Sequence, residues 1–418
     1  MKRSSALLPS LIVVLSSITI AQTSETRPRT VAGLSQTGTV QQRSAPIEQP
    51  AVPVDASRGV SNEITPASES AAAFAISNPA TIQSRIVEAE RLLKSLPMTT
   101  AMATPAIESV TVAALDRTTS RIHLISILKQ TFLTKGSETS GLSSLGTPVV
   151  IRVVRANGVN TALLITTANG QTLTPLVVQF PIEKGGLFKE MAYYTSAHPA
   201  LLSNDLVRSG QAYVHNMIEL ANKRLREKGV LISPQIVDVA ERLCIVEHVD
   251  HDRFRLENRL ALFNEIYSLY ALNELDTYRY SVSFAGAGGM VQMIPWAYNL
   301  ERERHPGVGL LPDFVIGMRN HANALQAMLL YMQDTWNELS ANQDVQSALR
   351  TKLATPTELL AAGYNSNAAR LPSYLRRGGE DWKILIPRET QMYLQIYKTF
   401  EGLVSLNTRI TSAPQSGN

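Results

Sequence analysis

The sequence predicts a mainly α protein in which a small strand-bearing region precedes a helical domain. Three observations carry this expectation. From Ser203 onward, apolar residues recur every three or four positions between recognisable helix caps. Between Pro148 and Phe180, runs of β-branched residues alternate with Asn-Gly pairs. Before residue 80 the chain is polar and almost without aromatic side chains.

The elements follow in chain order. Lys2 and Arg3 precede an apolar run over 6–20, and Thr19-Ile20-Ala21 ends it with a small residue. This pattern predicts a secretory signal peptide at 1–21 and hence a periplasmic or extracellular location. No later stretch reaches about 18 consecutive apolar residues, so no membrane span is expected. Residues 22–79 are rich in Ser, Thr, Ala, Gln and Pro, with Phe74 their only aromatic, and read as a disordered linker. This N-terminal region is also where cell-envelope protein partners could attach.

Residues 80–200 read as a small α+β accessory region. Ile82, Ile86, Ala89, Leu92 and Leu93 mark one face of a helix over 81–96, and a second short helix is expected over 121–132. The β-branched runs at 148–154, 161–166 and 172–180 predict an antiparallel three-stranded meander. Asn157-Gly158 and Asn169-Gly170 are its turns.

Residues 201–405 read as one helical domain, followed by a flexible tail at 406–418. Ser203 or Asn204 caps a first helix that Gly229 stops. Ser233-Pro234 opens a second, with Ile236, Val239, Leu243 and Val246 on its apolar stripe. A third is expected over 256–275, and others over 322–339, 357–364 and 388–404.

Lys and Arg total 39 against 35 Asp and Glu, too small an excess to argue for nucleic acid. Cys244 is the only cysteine and sits in the apolar run Leu243-Cys244-Ile245-Val246, so no internal disulfide is available and a buried, inert thiol is expected.

The chemistry-bearing residues centre on the third helix. Phe263, Tyr267, Tyr270 and Glu274 are spaced four, three and four, which places them on one face of a continuous helix. A carboxylate ending an aromatic, core-facing stripe is desolvated, which favours its protonated form and suits a general acid. Asp276 points elsewhere on such a helix and reads as a loop cap. His248, Asp250, His251 and Asp252 are metal-capable types without a third ligand motif; Asp250 or Asp252 reads as a cap, and no metal or organic cofactor is expected. Tyr278 and Tyr280 could stack on sugar rings or simply pack.

Residues 283–295, Ser-Phe-Ala-Gly-Ala-Gly-Gly-Met-Val-Gln-Met-Ile-Pro, resemble the signature of the lytic transglycosylases. Ala361-Ala362-Gly363-Tyr364-Asn365 and Pro387-Arg388-Glu389-Thr390-Gln391-Met392-Tyr393 are similar to that family's later motifs, in family order. The family's acid lies nine residues before the signature serine, which here is Glu274. The resemblance implies a lysozyme-like fold for 201–405 and cleavage of the β-1,4 bond between N-acetylmuramic acid and N-acetylglucosamine in peptidoglycan, leaving 1,6-anhydromuramoyl ends. It implies Glu274 as catalytic residue, with Ser283, Gly286, Ala287, Met290, Gln292, Tyr364 and Asn365 binding the glycan. The chain departs from the pattern where Leu275 stands in place of the serine that follows the acid. That departure keeps two other readings open: a non-catalytic peptidoglycan-binding scaffold and a hydrolytic muramidase.

Overall fold

In a computed structural model the chain is described over residues 79–96, 108–283 and 286–409. The expected signal peptide, the linker up to residue 78 and tail positions 410–418 lie outside these residues, as do Phe284 and Ala285 of the signature.

Helix α1 (Pro79–Lys94) buries Ile82, Ile86, Ala89 and Leu93, the face read from the sequence. Seven strands follow: β1 (Ser109–Leu115), β2 (Ile122–Leu128), β3 (Glu138–Leu142), β4 (Pro148–Arg155), β5 (Ala162–Thr167), β6 (Thr172–Lys184) and β7 (Leu187–Tyr194). The one-turn helix α2 (Lys129–Phe132) lies between β2 and β3.

These strands overturn the expected three-stranded meander. They form one seven-stranded antiparallel sheet in the order β2-β1-β6-β5-β4-β3, with β7 also pairing β6. The two ends of the sheet approach each other: the Ser144 amide donates to the Leu124 carbonyl at 2.8 Å, so the sheet is nearly closed. The helix expected over 121–132 survives only in its last turn. In β2, Ile125 and Ile127 are buried while Ser126 and Leu128 are exposed, a period of two. Ile125 lies opposite Val112 and Ile127 opposite Val110 in β1. A short apolar run does not distinguish helix from strand; a neighbouring strand that satisfies its amides does.

The helical part contains α3 (Asn204–Glu227), α4 (Pro234–Val246), α5 (His251–Leu256), α6 (Arg259–Asn273) and α7 (Pro295–Arg304). It continues with α8 (Phe314–Arg319), α9 (His321–Ala341), α10 (Gln343–Arg350), α11 (Pro356–Asn365), α12 (Leu371–Gly378), α13 (Trp382–Leu385) and α14 (Arg388–Leu403). The caps follow the local sequence. Ser203 Oγ accepts from the Leu206 amide, Asp250 from the Asp252 and Arg253 amides, and Thr355 forms a capping box with Glu358. Helix α9 is buried on nearly every side and runs through the centre of the helical core. Cys244 is buried there, and burial pushes its thiol far above the usual range. Among the described residues, no helix is long and apolar enough to cross a membrane.

Helix α6 joins the two halves. On one side it crosses α3 at Gly210, where a Cβ atom would sit 1.9 Å from the Tyr267 carbonyl oxygen. On the other it meets the sheet: Leu269 belongs to the sheet's own core, and Leu272 packs with Ile82 and Ile86 of α1. Two polar links fix this contact. Asn273 exchanges two hydrogen bonds with the main chain of Thr195, at 2.7 and 2.8 Å. Glu265 of α6 accepts a bidentate pair from Arg253 and lies 3.0 Å from Arg155 of β4. Burial opposes the charge on Glu265, but the two guanidinium groups prevail and hold its carboxyl below the usual range.

Candidate functional site

The aromatic stripe of α6 is buried as expected at Phe263, Tyr267 and Tyr270, but Glu274 does not continue it. The helix ends at Asn273, held to Thr195, and the chain turns into a 3-10 turn over Glu274–Asp276. Glu274 has φ 45° and ψ −117°, which rotates its side chain off the helical face and into solvent. It lines neither of the two main clefts. The desolvated setting expected from the four-three-four spacing is therefore absent, because that spacing applies only while helical backbone continues.

The larger cleft, of about 580 Å³, opens among α4, α7, α9, α11, α14 and the signature loop. Ser283, Ala287, Gln292, Tyr364 and Asn365 of the expected glycan-binding set line it. Met290 does not: it is fully buried, and its carbonyl lies 2.8 Å from His248 Nε2. Gly286 does not line it either.

A different carboxylate occupies this cleft. Glu247 stands at the C-terminus of α4, directly after the apolar run ending at Val246, and is half-buried. Tyr393 of α14 donates to Glu247 Oε1 at 2.6 Å. Burial, then the Glu247 charge, pushes the Tyr393 phenol far above its ordinary value, so it remains a donor at ordinary pH. Tyr364 of α11 is driven up by the same two causes, and its hydroxyl donates to the Val291 carbonyl at 2.7 Å. Reasoning on the sequence passed over Glu247. The available signal was a lone carboxylate closing the apolar stripe of α4, the same signal credited to Glu274.

The signature loop is built largely by its own hydrogen bonds. Ser283 Oγ accepts from the Ala287 amide at 3.0 Å, and the Gly288 amide donates to the Met293 carbonyl at 3.0 Å. Gln292 has φ 47°, a left-handed conformation rare outside glycine, and its side-chain Nε2 donates to the Gly289 carbonyl at 2.8 Å. Gly289, at φ 68°, is required by packing: a Cβ there would lie 2.3 Å from the Met318 carbonyl. At this glycine the close approach is to protein main chain.

The remaining candidates have structural partners. His248 stacks on Tyr278 with ring centroids 3.4 Å apart and planes 1° from parallel. The buried Tyr280 ring has guanidinium groups nearby from both Arg279 and Arg319. Asp250 caps α5, and Asp252 pairs with Arg255 at 2.8 Å. Among the described residues, the group of side chains placed to hold a metal lies elsewhere, at Glu301, His305 and Asp334.

No family model, curated protein or solved structure matches the chain.

Proposed function

We propose that this protein is an exported lytic transglycosylase that cleaves peptidoglycan glycan strands, with Glu247 rather than Glu274 as its acid and base. The observation that carries the reading is convergence. The three segments resembling that family's motifs contribute Gln292, Tyr364 and Tyr393 to one cleft, and Glu247 is the carboxylate hydrogen-bonded there to Tyr393. Ser283 follows Glu247 by 36 residues. On this reading α5 and α6 stand between the acid and the signature, in place of the nine-residue spacing.

The chemistry follows from a single carboxyl group. Glu247 protonates the leaving glycosidic oxygen. The substrate's 2-acetamido group stabilises the charge developing at the anomeric carbon. The Glu247 carboxylate then takes the proton of the muramoyl 6-hydroxyl as that oxygen attacks, closing the 1,6-anhydro ring. Tyr393 holds the carboxyl in place throughout. Three of the four other cleft carboxylates have named partners: Asp250 in its cap, Asp252 with Arg255, and Glu338 with Arg304 at 3.3 Å. Glu389 also lines the cleft, and the one-carboxylate route is taken from the resemblance of the motifs.

Digestion of isolated peptidoglycan, with products read by mass spectrometry, tests the proposal. Wild type should yield 1,6-anhydro ends, one water lighter than hydrolysis products. Glu247→Gln should abolish cleavage and Glu274→Gln should leave it intact. Hydrated reducing ends would make the protein a muramidase. Binding without cleavage by wild type would make it a scaffold.

A further inference from the structure

Behind one wall of the cleft, Glu301 in the last turns of α7 and His305 at its C-cap lie four residues apart, and Asp334 of α9 faces them. His305 Nε2 is 3.0 Å from Asp334 Oδ2 and 3.6 Å from Glu301 Oε2. One ligand atom from each residue lies within 4.8 Å of the other two. Glu301 is completely buried, at 0 % exposure, and neither of its carboxylate oxygens has a hydrogen-bond partner. A buried carboxylate without donors is costly, and native proteins rarely keep one without a compensating cation.

We propose that Glu301, His305 and Asp334 bind a single divalent transition-metal ion of the zinc class, which pins α7 to α9. One imidazole nitrogen and two carboxylates suit a borderline cation held at low coordination number. Calcium takes six or more oxygens. The metal would meet His305 at Nε2, leaving the proton on Nδ1. Water completes the coordination. Arg304 competes for Asp334 at 3.5 Å but is itself shared with Glu338, and does not reach the Glu301 oxygens within hydrogen-bond distance. The consequence reaches the cleft, because Leu300, Arg304, Tyr331 and Thr335 of these two helices line it. Tyr331 packs edge-on against Tyr364 at 5.9 Å. The inference does not depend on the proposed activity.

The test uses the full chain, stripped with a chelator and titrated with ZnCl₂ or CaCl₂, read by calorimetry and thermal melting. One zinc should bind per chain, and Tm should rise by roughly 4 °C with zinc a hundredfold above Kd. Asp334→Asn and His305→Gln should lose both responses, while His215→Gln keeps them. Glu301→Gln retains the shape without the buried charge; it should fold at least as well as metal-free wild type and still lose the zinc response. Absence of a zinc effect on wild type, or its survival in all three ligand variants, would overturn the site. A calcium response equal to that of zinc would overturn the choice of metal class.

Discussion

The Tyr393 hydroxyl donates to Glu247 Oε1 across 2.6 Å, and this contact joins the last helix to the end of α4 inside the cleft. The two residues are 146 positions apart in the chain.

That contact leads to the first prediction. Tyr393→Phe removes the donor and keeps the ring that packs in the core. A charge-assisted hydrogen bond is worth about 1.5–3 kcal/mol, which corresponds to roughly a tenfold to hundredfold loss of turnover if it orients the reacting group. Peptidoglycan digestion should therefore slow by that factor with KM nearly unchanged. Unaltered turnover would show that Glu247 is held by other means, or is not the acid.

The second prediction concerns the α3–α6 crossing. Gly210→Ala brings a methyl group to within 1.9 Å of a main-chain oxygen on a buried helix, where no side-chain rotation relieves it. The helices must separate, at a cost of about 3 kcal/mol, which for a folded chain of this size is a Tm lowered by roughly 4–5 °C. Gly402→Ala is the control. It lies near the end of α14 with nothing within 4 Å of the new methyl, and should raise stability by up to about 1 kcal/mol. Equal melting of wild type and Gly210→Ala would mean that the crossing is looser than described.

The third prediction is a pH dependence. His321 is 1 % exposed; its Nε2 lies 2.8 Å from the Thr277 carbonyl, and its Nδ1 lies 2.8 Å from the Tyr213 hydroxyl. The carbonyl can only accept, so Nε2 carries the proton and Nδ1 accepts from Tyr213, which describes a neutral ring. Burial lowers its pKa from 6.5 to about 4. The unfolded chain thus takes up a proton below 6.5 that the native chain refuses until about 4. The contribution is complete above 6.5 and falls as pH drops through that window. Between neutral pH and pH 5 this one group should remove about 2 kcal/mol of stability. Urea unfolding at pH 7 and pH 5 checks it: His321→Gln should be less stable than wild type at pH 7 and lose about 2 kcal/mol less on acidification. Parallel losses in the two proteins would assign the acid sensitivity elsewhere.

The legibility of the site in the sequence was uneven, for reasons that can be placed on individual residues. Gln292 and Tyr364 both line the larger cleft, and each lies within a short motif that marks it in the sequence. Glu274 was misplaced because helical periodicity was extended one residue past Asn273, where a side-chain clamp on Thr195 ends the helix. Glu247 was passed over because its partner, Tyr393, is distant in sequence. Glu301 gave no signal, since nothing local in Leu300-Glu301-Arg302 marks a carboxylate that packing will strip of water.

Local chemistry alone determined where most helices begin and which faces they bury. Ser203, Asp250 and Thr355 satisfy amides two or three residues away, and the apolar stripes of α1 and α4 need only a 3.6-residue period. The tertiary structure alone decided that 122–128 is a strand, since its amides are satisfied by β1. It also decided that α6 ends at Asn273, that Glu247 faces Tyr393, and that Glu301 meets His305 and Asp334. In each of these cases the deciding energy, a hydrogen bond or the desolvation of a charge, comes from a group brought near only after the chain has folded.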